Sequence, residues 1–176
     1  MPKDIVRTLG YATLGSRLKR LGELLQAQTA ELALGVSQVQ LPVPQNPVLA
    51  ALDTNGPMSI GELAKALGQS QPGITRMINQ MKKDGLVHAA AGTHDQRVRK
   101  IALTDRGNQL VQELKTSLWP ATAQAVSDAC QDLSGPLLDQ LTQLESALSV
   151  RPLKARTNAD TLPDWDAIQT NGDQNT

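Results

Sequence analysis

The sequence has one cysteine, Cys130, and no phenylalanine. A single thiol excludes an internal disulfide and fits a reducing compartment. Aromatic residues stop at Tyr11, Trp119 and Trp165. A β-sandwich core leans on aromatic and β-branched side chains, so a core of Leu, Ala and Val points to helices instead. No apolar run approaches the roughly 18 residues of a membrane span. The N-terminus lacks an apolar stretch ahead of a small-residue cleavage site, the pattern of a secretory signal. These absences predict a cytoplasmic protein with no membrane partner. Net charge is zero, which argues against a chain that is basic throughout.

The zero total hides an asymmetry. Residues 60–107 carry eight Lys and Arg against four Asp and Glu, a net +4, while 108–151 carry two against five, a net −3. A basic middle between neutral and acidic flanks is a mild electrostatic footprint for a polyanion. At 176 residues the chain is long enough for one ordinary domain with its own core.

Residues 4 to about 33 read as one long helix, with Leu14, Leu18, Leu21 and Leu25 on a heptad-like seam. Gly10, Gly15 and Gly22 weaken it, so it needs a partner surface. The proline-broken "QLPVPQN" follows, and Asn46 before Pro47 is a favoured helix start. Ser59 with Glu62 forms a capping box that opens "IGELAKALG", and Gly68 ends that helix in a left-handed cap. Ser70 caps the next helix almost at once. Ile74, Met77, Ile78 and Met81 give this helix an apolar stripe, and Gly85 ends it. "LVHAAA" and "VRKIAL" then read as the two strands of a hairpin joined by the polar "GTHDQR". Thr104 caps a long helix that Pro120 should kink. Ser134-Gly135-Pro136 opens a last helix with Leu137, Leu141, Leu144 and Leu148 on one seam. Cys130 reads as a small buried thiol.

Helix, short Gly-containing turn, helix and hairpin is the order of a winged helix-turn-helix. The expected fold is therefore mainly α with a small β-hairpin wing, the winged helix-turn-helix being flanked by dimerisation helices. The stripe of the second helix packs down and leaves Gln71, Thr75, Arg76, Asn79 and Gln80 outward, all able to hydrogen-bond to bases or phosphates. Ser70 sits where exposed N–H groups meet a phosphate. Pro72 and Gly73 keep the helix start slim enough for close approach. At the hairpin tip His94, Arg97 and Arg99 can enter a narrow minor groove, and Asp95 is placed to fix Arg97 by a charge-assisted hydrogen bond. These twelve residues are the candidate DNA-binding set. No nucleophile–base pair, metal-ligand constellation or phosphate-cradling glycine loop is visible, so the sequence predicts no enzyme, no cofactor and no metal.

"IGELAKALGQSQPGITRMINQMKKDGLV" followed by "DQRVRKIALTDRG" resembles the MarR (multiple antibiotic resistance regulator) family. The family's wing pattern is Asp-x-Arg, then Leu-Thr-x-x-Gly, matched by Asp95, Arg97, Leu103, Thr104 and Gly107. The resemblance implies a MarR-like domain over 1–149. Its dimerisation helices would span about 4–35 and 105–149, and its winged helix-turn-helix about 46–104. Residues 150–176 are expected to form a flexible polar tail. It further implies a homodimeric transcription regulator on a pseudo-palindromic operator in double-stranded DNA. Such regulators are often repressors released by a small phenolic or acidic ligand. The alternative is a winged-helix protein-interaction module without sequence-specific DNA binding.

Overall fold

The computed structural model describes residues 3–36, 43–90 and 100–156. They fall into two compact units, one of Gln26–Ala125 and one of Met1–Leu25 with Val126–Thr176.

The expected long first helix is broken. Helix α1 (Ile5–Thr8) gives way to a 3₁₀ turn at Gly10–Thr13, and α2 runs from Leu14 to Val36. Gly10 has φ +50°, a left-handed conformation that L side chains rarely adopt. Asp4 caps α1 and accepts a hydrogen bond from Arg20 Nη1 at 3.1 Å. The Arg20 guanidinium, helped by the Arg7 backbone, holds the Asp4 carboxyl below the usual carboxylate range.

Every buried apolar residue of the described chain lies within residues 26–125. Helix α3 (Asn46–Asn55) contributes Val48, Leu49 and Leu52, and α4 (Ile60–Ala66) contributes Leu63 and Ala64. From α5 (Gln71–Lys83) come Ile74, Ile78 and Met81, the expected stripe, with Met77 packed against it. Helix α6 (Asp105–Thr116) adds Leu110, Val111 and Leu114. Burial of such a side chain contributes about 1.5–3 kcal/mol, so this core is what holds α5 in place. Asp53 of α3 and Lys115 of α6 pair at 2.5 Å above it.

Asn46 does not cap α3 through its side chain. The chain enters that helix from a 3₁₀ turn at Val43–Gln45, and the buried Asn46 Oδ1 has no hydrogen-bond partner among the described residues. The capping box of α4 is present as expected. Glu62 N donates to Ser59 Oγ at 3.2 Å, and Ser59 N donates to Glu62 Oε2 at 2.7 Å. The Ser59 backbone N–H, more than any other group, pulls the Glu62 pKa down. A depressed carboxyl pKa stabilises the fold above the unfolded value, and that contribution fades as pH falls through the folded one. Glu62→Ala should therefore melt below wild type at neutral pH, with the gap narrowing below about pH 4. A gap that stays constant from neutral pH to about pH 3 would count against the charged capping box.

The sheet has three strands, one more than the expected hairpin. Strand β1 (Met58–Ser59) pairs with β3 (Lys100–Leu103), which pairs with β2 (Val87–Ala90), all antiparallel in the order β1-β3-β2. Two residues are too few for β1 to show alternation. Met58 faces Ile101 and Val87 faces Leu103.

Where a single kinked helix is expected after Thr104, two helices form. α6 stops at Ser117, which has φ −126° and ψ −83°, and α7 (Leu118–Ala129) follows. Pro120 lies in the first turn of α7, where its missing N–H costs nothing. Cys130 is half-buried rather than buried. Helix α8 (Leu137–Val150) starts after Pro136 as expected. Of the expected tail only the start is described, and 157–176 lie outside the described residues. Leu153–Ala155 form a 3₁₀ turn, Arg151 Nε donates to Ala155 O at 3.0 Å, and Arg156 donates to the Arg151 and Ala147 carbonyls.

Candidate nucleic-acid interface

The turn between α4 and α5 is short and closed by backbone hydrogen bonds. Gln69 N donates to Ala64 O at 2.9 Å and Gly68 N to Lys65 O at 3.4 Å, a Schellman closure with Gly68 at φ +60°. Ser70 then caps α5, its Oγ accepting from Gly73 N at 3.3 Å. The far end of α5 closes in the same way. Leu86 N donates to Met81 O at 2.9 Å and Gly85 N to Lys82 O at 3.1 Å. Both ends of the helix are thus pinned, and its apolar stripe is buried, which fixes the orientation of its opposite face.

That face is polar and open. Gln71, Pro72, Arg76, Asn79 and Gln80 are exposed, while Gly73 and Thr75 are half-exposed. The candidate residues of α5 therefore sit together on one surface, but they are not equally free. The Thr75 hydroxyl donates to Gln71 O at 2.8 Å, so toward an outside partner it offers a lone pair and a methyl group. Gln80 Nε2 donates to Asp84 Oδ1 at 2.9 Å, which draws this side chain toward the C-terminal end. The Gln71 amide lies over α4, its Nε2 3.6 Å from where a Cβ on Gly61 would sit. Nothing in the spacing of the sequence signals this contact. Among the described residues Arg76, Lys82 and Lys83 have no ion-pair partner. Ser70 is exposed at the N-terminal end of α5.

His94, Asp95, Arg97 and Arg99 lie outside the described residues. The base of the hairpin is described, and Lys100 there is exposed and close enough to Glu62 to help lower its pKa. The Leu-Thr-x-x-Gly part of the wing pattern has a structural task. Thr104 Oγ1 donates to Gly85 O at 2.6 Å and accepts from Gly107 N at 3.0 Å, while Thr104 N donates to Leu86 O at 3.0 Å. One threonine thereby ties the end of α5 to the start of α6. Gly107 passes so close to Leu86 that a Cβ on it would lie 2.1 Å from the Leu86 carbonyl oxygen. Among the described residues no three His, Cys, Asp or Glu side chains gather in a metal-binding group. Among the described residues no helix is long and apolar enough to cross a membrane.

Residues 39–97 match the model of the MarR family, a span that takes in α3, α4, α5 and β2. The HTH-type transcriptional repressor IacR of Pseudomonas putida is 31% identical over 97 residues, covering 53% of this chain and 58% of that protein. The transcriptional repressor MprA of Escherichia coli is 28% identical over 91 residues, covering 48% and 52%. The chain thus spans little more than half the length of the curated relatives it matches. Its fold is similar to that of a mutant MarR from Escherichia coli complexed with operator DNA. The TM-score is 0.60 at 18% identity, with 78% of this chain and 91% of that one covered. Matched segment and fold point the same way: residues 39–97 are similar to the MarR family, and the chain shares the fold of a MarR protein.

Proposed function

We propose that the protein is a sequence-specific DNA-binding transcription regulator that works as a homodimer. The observation that carries this reading is the α5 surface: a capped helix, immobilised by its buried stripe, presents Gln71, Arg76 and Asn79 outward with a slim Pro72-Gly73 start. A helix of this kind fits the major groove, where each base pair shows a distinct donor and acceptor pattern. The wing residues Asp95, Arg97 and Arg99 are proposed to add minor-groove and phosphate contacts, with His94 beside them. IacR and MprA are named as repressors, which supports repression here. Release by a small phenolic or acidic ligand is proposed on the family likeness; the PcaV regulator of Streptomyces coelicolor, of similar fold, is known in complex with its natural ligand.

The homodimer is supported by the unit built from both chain ends. None of its described residues is buried, while Leu24 is 52%, Leu138 78% and Val150 87% exposed. Apolar side chains left open in this number mark an association surface, and a two-fold pair would bring two α5 helices to two half-sites. The test is binding to genomic DNA fragments at several salt concentrations, with sedimentation on the same sample. Steep loss of affinity with salt and a dimeric mass are expected. Salt-independent or absent DNA binding would leave a protein-interaction module instead, and a stable monomer that still binds DNA would remove the dimer.

A further inference from the structure

We propose that Asn55-Gly56, at the C-terminal end of α3, is a site of intrachain deamidation that turns Asn55 into aspartate and isoaspartate. The inference goes beyond DNA binding and does not depend on it. The described residues include four asparagines, and three are poorly placed for the reaction. Asn46 precedes Pro47, which has no N–H to lose. Asn79 and Asn108 lie within α5 and α6, and each precedes a glutamine whose side chain hinders attack. Asn55 alone among them precedes a glycine, and it is the last residue of its helix.

The geometry leaves this pair open. Asn55 is exposed and Gly56 half-exposed. Nothing lies within 4 Å of where a Cβ on Gly56 would sit, so neighbours leave room for a ring. The closures of α4 and α5 use their glycine N–H groups, Gly68 N donating to Lys65 O at 3.4 Å and Gly85 N to Lys82 O at 3.1 Å. The Gly56 N–H has no such acceptor among the described residues. A helical backbone opposes ring closure, because it turns the next nitrogen away from the side-chain carbonyl. That restraint is weakest at a helix end, where opening costs least, and here the terminal N–H does not hold the turn shut.

In the reaction the Gly56 nitrogen gives its proton to solvent base and attacks Asn55 Cγ. The new N–Cγ bond closes a five-membered imide, the Cγ–Nδ2 bond breaks, and ammonia leaves. Water then opens either carbonyl of the ring, giving aspartate or isoaspartate. Asparagine and water become acid and ammonia, with no change of oxidation state. Either product disturbs the end of α3. Asn55 Nδ2 donates to Ala51 O at 2.9 Å, and a carboxylate cannot. The new negative charge also stands at the negative end of the helix dipole. Isoaspartate adds one methylene to the main chain just ahead of β1, whose two residues pair with Ile101 and Lys100 and whose Ser59 caps α4. Pro57, with its fixed φ, leaves little slack to absorb it.

The experiment holds the folded full-length protein in mildly alkaline water enriched in heavy oxygen for days, then digests it and assigns the acids from fragment spectra. The expected result is aspartate and isoaspartate at Asn55, both carrying the heavy oxygen, while Asn79 and Asn108 keep their amides. Asn171-Gly172, outside the described residues, is read in its own peptide. Asn55→Gln, which disfavours the five-membered ring, should stay an amide under the same conditions. Asn55→Asp should melt about 2–6 °C below wild type, and the aged wild type should shift in the same direction. An amide intact at Asn55 in the folded chain, when a chain unfolded in denaturant has converted there, overturns the proposal, because the fold then protects the site. Equal conversion at Asn79 and Asn108 overturns the local geometry as its cause. An unchanged melting temperature in Asn55→Asp overturns the disturbance of α3.

Discussion

Gly107→Ala is expected to lower the melting temperature by about 6–12 °C. The added Cβ would stand 2.1 Å from Leu86 O and 3.3 Å from Leu103 Cδ2. The carbonyl cannot swing aside cheaply. It accepts the Thr104 N–H, and the Leu86 N–H is held by Met81 O. Leu86 itself is buried. Relief requires breaking the closure of α5 or moving α6, and overpacking of this kind reaches about 3 kcal/mol or more. Gly73→Ala is the control, because its Cβ would meet only the Ser70 hydroxyl, at 3.1 Å. There the gain of up to about 1 kcal/mol in helix propensity offsets the crowding. Thermal melts of both variants decide the matter. If Gly107→Ala melts within a degree or two of wild type, the close passage of α6 over Leu86 is wrong.

This crossing also shows what the sequence could and could not reveal. The order of helices and the orientation of α5 were legible because periodicity and capping are local. Ile74, Ile78 and Met81 repeat at helical spacing, and Ser59, Glu62 and Ser70 cap within three residues of themselves. Gly107 stood in the motif, yet its reason is a contact with Leu86, 21 positions earlier in the chain. Strand β1 was hidden because two residues carry no alternation; it exists because Met58 finds Ile101 across the sheet. The break at Gly10 was half legible, since the glycine was visible but its left-handed conformation was not. On the candidate surface the exposed set of α5 followed from the stripe alone. The internal bonds of Thr75 and Gln80 did not, because each could equally have pointed into solvent.

Those internal bonds sharpen the second large effect, which concerns how α5 would distinguish sequences. Gln71→Ala is expected to lose about 1–3 kcal/mol against the preferred DNA site and to relax preference at one position per half-site. Its amide rests over Gly61 in the free protein, and among the described residues it makes no hydrogen bond that a base would have to replace. Arg76→Ala should act differently. An exposed guanidinium without an ion pair among the described residues suits a phosphate, so its loss should weaken all sequences alike. The salt slope should become shallower by about one per subunit. Gln80→Ala should leave the preference unchanged, because Gln80 is engaged with Asp84 toward the C-terminal end of the helix. A competition series of single-base operator variants, run at two salt concentrations, separates the three. Full wild-type preference in Gln71→Ala would remove it as a reader and assign specificity to Asn79, to the wing or to DNA shape. A change of preference in Gln80→Ala would mean that the Asp84 bond opens on binding and that the outer end of α5 enters the groove.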